Sequence, residues 1–176
     1  MKKNYLRSGK LLVLLLIGLI SINGWGQPND RHLQIILVSG ATGTQGGAVA
    51  RELVQRGYSV RGLTRNTNSE ASQALQARGV EMVQGDFDDP ASLDRALEGA
   101  YGAFSVQQYR GVGIDGEIRQ GQAFADAAKR AEIKHFIYTS VAKAPLRTGV
   151  PQFESKLVIE NYIQSLQIPY TIVRPA

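Results

Sequence analysis

From residue 33 onward the chain alternates two patterns. Short runs of apolar, β-favouring residues cover 33–39, 58–64, 80–84, 100–106, 133–139 and 170–173. Between them lie longer segments in which apolar residues recur every three or four positions, the period of an amphipathic helix. In the first such segment Gly46, Ala50, Leu53, Val54 and Gly57 stand at i, i+4, i+7, i+8 and i+11. They form one packed face, and Gly57 is suited to stop the helix. Residues 69–78 predict a second helix closed by Gly79. Asp89 and Pro90 predict the cap and first turn of a third. Segments 114–131 and 152–166 predict two more, the last with Ile159, Tyr162, Ile163 and Leu166 on one face. The run at 33–39 is broken only by Gln34, as expected of a central strand covered on both sides. Repeated strand–helix alternation of this kind predicts an α/β fold: a doubly wound parallel sheet of about six strands with helices on both faces.

Composition changes this picture only at the N-terminus. The formal net charge is +5, but Lys2, Lys3, Arg7 and Lys10 precede the first acidic residue, Asp30. Without those four, 16 basic residues face 15 acidic ones, and no basic stripe points to nucleic acid. A cationic start, an uninterrupted apolar run over 11–17 continued to Ile22, and the small and polar residues 23–27 have the order of a secretory signal. The apolar segment is short for a bilayer span, which makes an anchor the second reading. Residues 1–26 are thus expected to be a signal peptide or N-terminal anchor, with membrane contact through that segment alone. The alternative is an upstream start codon on a cytoplasmic protein. With no cysteine in the chain, disulfides, thiolate catalysis and zinc–thiolate sites are excluded. His32 and His135 stand beside apolar runs, where packing at a strand edge is expected rather than metal ligation, and no metal site is predicted.

The segment with chemical content is Gly40-Ala41-Thr42-Gly43-Thr44-Gln45-Gly46, set between the first strand and the first helix. In that setting Gly40 permits the tight turn, Gly43 lets the backbone approach a pyrophosphate, and Gly46 lets helix and strand pack closely. The amides of the helix N-terminus, with those of Thr42, Thr44 and Gln45, then face the phosphates. At the end of the second strand an acidic residue binds the ribose 2′-hydroxyl of NAD, whereas a cation accommodates the 2′-phosphate of NADP. This chain has Thr64-Arg65-Asn66, and the planar fork of Arg65 suits a phosphate, so NADP(H) is expected in preference to NAD(H).

The Gly-x-x-Gly-x-x-Gly spacing resembles that of the extended and atypical short-chain dehydrogenases, whose core is the Rossmann fold. The motif within Val38-Ser39-Gly40-Ala41-Thr42-Gly43-Thr44-Gln45-Gly46 is joined by Arg61-Gly62-Leu63-Thr64-Arg65-Asn66, by Gly85-Asp86-Phe87-Asp88-Asp89 and by Phe153-Glu154-Ser155-Lys156. Together these resemble the NmrA-like family of NADP-binding proteins, from about residue 33 to the end. The resemblance implies that Asp86 and Phe87 sit against the adenine, although an Asp near a helix start also serves as a cap. It implies that Ser140 lines the pocket and that Lys156 holds the nicotinamide ribose. It further implies that relatives continue beyond Ala176 into a substrate part, so residues 27–176 are expected to be a nucleotide-binding domain truncated at its C-terminus.

In reductase relatives a tyrosine stands four residues before the lysine, on the same helix face, as proton donor. Here that position is Gln152, which cannot shuttle a proton as a phenol does. Two functions follow. One is a cofactor-binding or redox-sensing module in which NADP(H) occupancy alters a regulatory protein partner. The other is an NAD(P)H-dependent oxidoreductase for a small quinone, phenolic or carbonyl substrate, with Lys156 as the candidate catalytic residue.

Overall fold

The computed structural model describes residues 30–146 and 148–175. The signal-like leader and its cleavage region lie outside the described residues. After a 3-10 turn at Asp30–Leu33, six strands alternate with five helices. The strands are β1 (Ile35–Val38), β2 (Ser59–Thr64), β3 (Glu81–Gln84), β4 (Ala100–Ser105), β5 (His135–Thr139) and β6 (Tyr170–Val173). The helices are α1 (Thr44–Gln55), α2 (Glu70–Gln76), α3 (Pro90–Leu97), α4 (Gly113–Arg130) and α5 (Pro151–Ser165). All pairings are parallel, and the order across the sheet is β3-β2-β1-β4-β5-β6. The chain therefore winds outward from β1 in one direction and from β4 in the other.

Alternation along the strands divides the core in two. Leu37, Leu63, Ala103, Phe136 and Tyr138 point to one face, where Leu93 and Leu97 of α3, Phe124 of α4, and Ile159 and Ile163 of α5 cover them. Val38, Val60, Met82 and Phe104 point to the other and meet Ala50 of α1 and Leu75 of α2. Adjacent residues such as Leu37 and Val38 are both fully buried, in opposite layers. This is why the first strand reads as an unbroken apolar run.

Helix ends follow their side chains. Ser69 caps α2 by accepting from the Ser72 amide, and Asp89 caps α3 in the same way with Pro90 in the first turn. Gly57 follows the last turn of α1 in the left-handed region, φ +84°. Both histidines lie at the periphery: His32 is exposed, and the Nε2 of His135 lies 2.9 Å from the Thr171 hydroxyl across the β5–β6 pair.

Candidate functional site

In an open doubly wound sheet, ligands bind outside the carboxyl ends of the strands where the winding direction reverses. Here that point lies between β1 and β4, and the glycine-rich turn emerges from β1 directly at it. Gly40 adopts φ +58°, and the Gly43 amide closes the turn onto the Gly40 carbonyl at 2.9 Å. Helix α1 begins at once, so tightly against the turn that a Cβ on Gly46 would stand 2.3 Å from the Gly40 carbonyl oxygen. Only glycine fits there.

Gly43 differs. It caps α1 in an extended conformation with no side chain, and a Cβ on it would meet only the Gly40 carbonyl, at 3.3 Å. The turn itself thus makes a much weaker demand for glycine at 43, and the open side of the loop is what a side chain there would fill. Thr42, Gly43, Thr44 and Gln45 are exposed along that side. The amides of Thr44, Gln45 and Gly46 precede the first intrahelical bond of α1 and have no backbone acceptor among the described residues. A short strand–turn–helix with free amides and a cradle that a Cβ would fill fits a phosphate pair.

The turn is tied to its neighbours. Gln45 donates to the Thr139 hydroxyl at 2.7 Å, linking α1 to the end of β5. The Val106 amide donates to Ser39 Oγ at 2.8 Å, and the Val106 side chain occupies the space that a Cβ on Gly40 would need. The connection leaving β4 therefore packs directly on the glycine turn.

Arg65 stands exposed just past β2, with no ion-pair partner among the described residues. The loop around it is set by Thr64, whose hydroxyl accepts from the Asn66 amide, and by Asn66, whose side chain accepts from the Asn68 amide. Asp86 and Phe87 follow β3. Asp86 does not cap α3, a role that belongs to Asp89; its carboxylate accepts from the Asp88 amide at 3.0 Å. The Phe87 ring is half-buried and packs edge-on against Phe124, so it belongs to the core as well as to the cleft edge.

Asp88 reaches across to α4, accepting from Gln120 at 2.9 Å and from Arg119 at 3.2 Å. The Gln120 amide, seconded by the Arg119 guanidinium, outweighs the cost of desolvation and holds this carboxyl below its ordinary 3.8.

At the other end of the cleft, Ser140 follows β5. Its amide donates to the Val173 carbonyl, while its hydroxyl is buried with no hydrogen-bond partner among the described residues. Lys156 is no surface lysine: it is 8% exposed. Its Nζ donates to the Gln107 carbonyl at 2.7 Å, lies 3.0 Å from Oε1 of the fully buried Glu117, and sits 5.6 Å from the centre of the Tyr138 ring. The approach to Glu117 is close but not aligned as a hydrogen bond, so the contact is chiefly ionic, and Oε1 has no hydrogen-bond donor. The other carboxylate oxygen, Oε2, accepts from the Ser155 hydroxyl.

Gln152, one turn before Lys156, is half-buried. Tyr138 beneath the lysine does not replace the missing phenol. It is fully buried, and burial together with Glu117 and Glu160 pushes its hydroxyl far above the ordinary tyrosine range, holding it neutral. Gln107 and Glu117 were not among the residues singled out from sequence. Glu117 had a signal: it stands at i of the stripe Gly121, Phe124 and Ala128 at i+4, i+7 and i+11, a carboxylate on an apolar face.

Sheet order, switch-point turn and free helix amides define a Rossmann-type nucleotide-binding domain. The NmrA-like family model matches residues 32–176, and the chain belongs to the NmrA-like family. It is 38% identical over 142 residues to the NmrA-like family domain-containing oxidoreductase FrzB of a Cladobotryum species, covering 75% of this chain and 42% of that protein. Among solved structures it superposes on triphenylmethane reductase of a Citrobacter species with a TM-score of 0.72 and 30% identity, covering 80% of this chain and 48% of the reductase. The negative transcriptional regulator NmrA, solved in complex with NADP, matches with a TM-score of 0.72 and 32% identity over 82% of this chain and 45% of the regulator. NmrA has also been solved with NAD, and the reductase with NADP(H). The chain spans less than half the length of each of these proteins.

The Asp88 contact yields a prediction with a definite sign. Because the folded state depresses this pKa, the contact favours folding above about 3.8, and that contribution is lost as pH falls through the lower, folded value. A carboxyl titration followed by NMR should place Asp88 below 3.8. The stability gap between the parent and Asp88→Asn, measured by urea unfolding, should close as pH is lowered from about 5 to below that midpoint. A gap that stays constant with pH would contradict the assignment.

Proposed function

We propose that this chain is an NADP(H)-binding module of the NmrA-like type, in which occupancy or redox state of the nucleotide changes a protein partner. The observation that carries the cofactor reading is the side-chain-free cradle at the switch point, with exposed residues Thr42 to Gln45, amides of Thr44, Gln45 and Gly46 that have no backbone acceptor among the described residues, and beyond β2 the guanidinium of Arg65, which has no ion-pair partner among them. In this reading the turn holds the pyrophosphate and Arg65 the 2′-phosphate. The loop at Asp86 and Phe87 lies beside the adenine, and Ser140 and Lys156 stand at the nicotinamide end.

The module reading is preferred to the reductase reading on two observations. The proton donor expected one turn before Lys156 is replaced by Gln152, and the Lys156 ammonium is already engaged by Gln107 and Glu117. What favours the reductase reading is the buried Ser140 hydroxyl at the same end of the cleft, which has no hydrogen-bond partner among the described residues, together with the oxidoreductase names of relatives such as FrzB. A panel of quinones with NADPH separates the two. Binding without NADPH oxidation is expected, and turnover well above the uncatalysed rate would favour the reductase.

Two variants test the cofactor assignment. A charge-assisted bond from Arg65 to the 2′-phosphate is worth roughly 1.5 to 3 kcal/mol. Arg65→Ala should therefore weaken NADP binding about tenfold or more while leaving NAD little changed; equal losses for both in calorimetry would defeat the phosphate role. Gly43→Val should keep the far-ultraviolet dichroism and melting of the parent but lose both nucleotides, because the side chain fills the cradle from its open side. Retained affinity in that variant would mean that the turn is not a phosphate site.

A further inference from the structure

Helix α4 places a carboxylate where its neighbours are Gly121, Phe124 and Ala128, and such burial needs a reason. Glu117 is completely inaccessible. Burying an ion pair does little for stability compared with an apolar pair of the same volume, but it fixes geometry, since each charge tolerates few positions. What this pair fixes can be followed residue by residue. Glu117 lies 3.0 Å from Lys156, and Lys156 donates to the Gln107 carbonyl at 2.7 Å. Gln107 is itself 4% exposed and exchanges hydrogen bonds with Ser105 at the end of β4. The preceding residue, Val106, donates its amide to Ser39 and presses its side chain against Gly40. A run of contacts thus leads from the interior of α4 to Gln107 and, through the peptide that joins it to Val106, to Ser39 and the glycine turn.

We propose that Glu117 is a positioning residue of the nucleotide cleft: it holds the Lys156 ammonium on the Gln107 carbonyl and so sets the β4–α4 connection against the glycine turn. The Lys156 ammonium, with one proton on Gln107 and its charge shared between Glu117 and the Tyr138 ring, acts as a brace rather than as a proton donor to a substrate. This role rests on the cofactor reading for its consequence, but not for its mechanics. Because the connection leaving β4 borders the cleft on the side away from Arg65, the nicotinamide half of the nucleotide depends on the brace, and the adenosine 2′-phosphate half does not.

The test is Glu117→Gln in the full chain, read in two ways. Hydrogen exchange without nucleotide compares the Val106 amide, held by Ser39, with the amide of the buried Phe136, held by the Pro169 carbonyl. Exchange at Val106 is expected to rise at least tenfold relative to Phe136. Calorimetry is expected to show about tenfold weaker NADPH binding with 2′,5′-ADP changed less than twofold. Unchanged exchange at Val106 overturns the proposal. So does a parallel rise at Val106 and Phe136, or loss of both ligands together, since either marks general destabilisation. Should Glu117→Gln fail to fold, Ser155→Ala removes only the hydroxyl that Glu117 accepts from; exchange at Val106 is then expected to rise about threefold and NADPH affinity to fall selectively, with no change in either again overturning the role. If the parent chain binds neither nucleotide, the cofactor reading fails by itself, and the Val106 exchange ratio alone decides whether Glu117 holds the loop.

Discussion

Everything at the switch point depends on how closely α1 approaches the turn that feeds it. With no side chain at Gly46, the helix starts against the Gly40 carbonyl at a separation that a single Cβ would close to 2.3 Å. The first-turn amides of Thr44, Gln45 and Gly46 have no backbone acceptor among the described residues, and Gln45 lies 2.7 Å from the Thr139 hydroxyl, which ties the helix to β5. The turn then has little freedom of its own: Ser39 and Val106 hold it from the β4 side. Preorganisation of this kind removes the ordering cost that a loop would otherwise bring to binding.

The second organising feature is electrostatic. Between α4 and α5 the core contains two buried carboxylates, Glu117 and Glu160, each matched to a cation from the neighbourhood of α5, Lys156 and Arg174. Arg174 meets Glu160 through two bonds of 2.9 and 2.6 Å, a geometry that fixes the residues just after β6. These pairs specify arrangement at some cost in solvation. They occupy the same side of the sheet as the nicotinamide end proposed for the cleft, whereas the 2′-phosphate end proposed for it lies at exposed loops around Arg65, which has no ion-pair partner among the described residues.

The six strands and five α-helices were legible in number, type and order, because central strands covered on both faces and helices such as α1, α3 and α4 with one packed face leave clear periods, whereas the short 3-10 turn at Ala144–Leu146 carries none. Boundaries shifted where local chemistry competed. The run at 33–39 yields a strand only over Ile35–Val38, since residues up to Leu33 close a 3-10 turn, and the run at 133–139 begins its strand at His135 after a turn through Glu132 at φ 51°. The glycine turn and Arg65 were legible because their chemistry is carried by backbone spacing and by position after a strand. Gln107 was not, because what matters is its carbonyl, which any residue has. Glu117 was visible only as a charge out of place on an apolar stripe, and its partner across the helix interface is set by packing that no local spacing encodes. For the same reason the sequence, which offers Lys156 as a ribose-holding or catalytic cation, does not show that its ammonium is buried against Glu117 of α4.

If the turn after β1 is a phosphate cradle within a dinucleotide cleft, bound nucleotide must perturb the amides of that turn. Titrating NADPH into the isotopically labelled chain and following backbone amides by NMR tests it most directly. Saturable shifts are expected, concentrated at Thr42, Gly43, Thr44 and Gln45 and extending to Arg65 and Ser140, with the far end of the sheet near Asp94 and Arg130 unmoved. Shifts centred on that far end, or none at the glycine turn at saturating nucleotide, would contradict it.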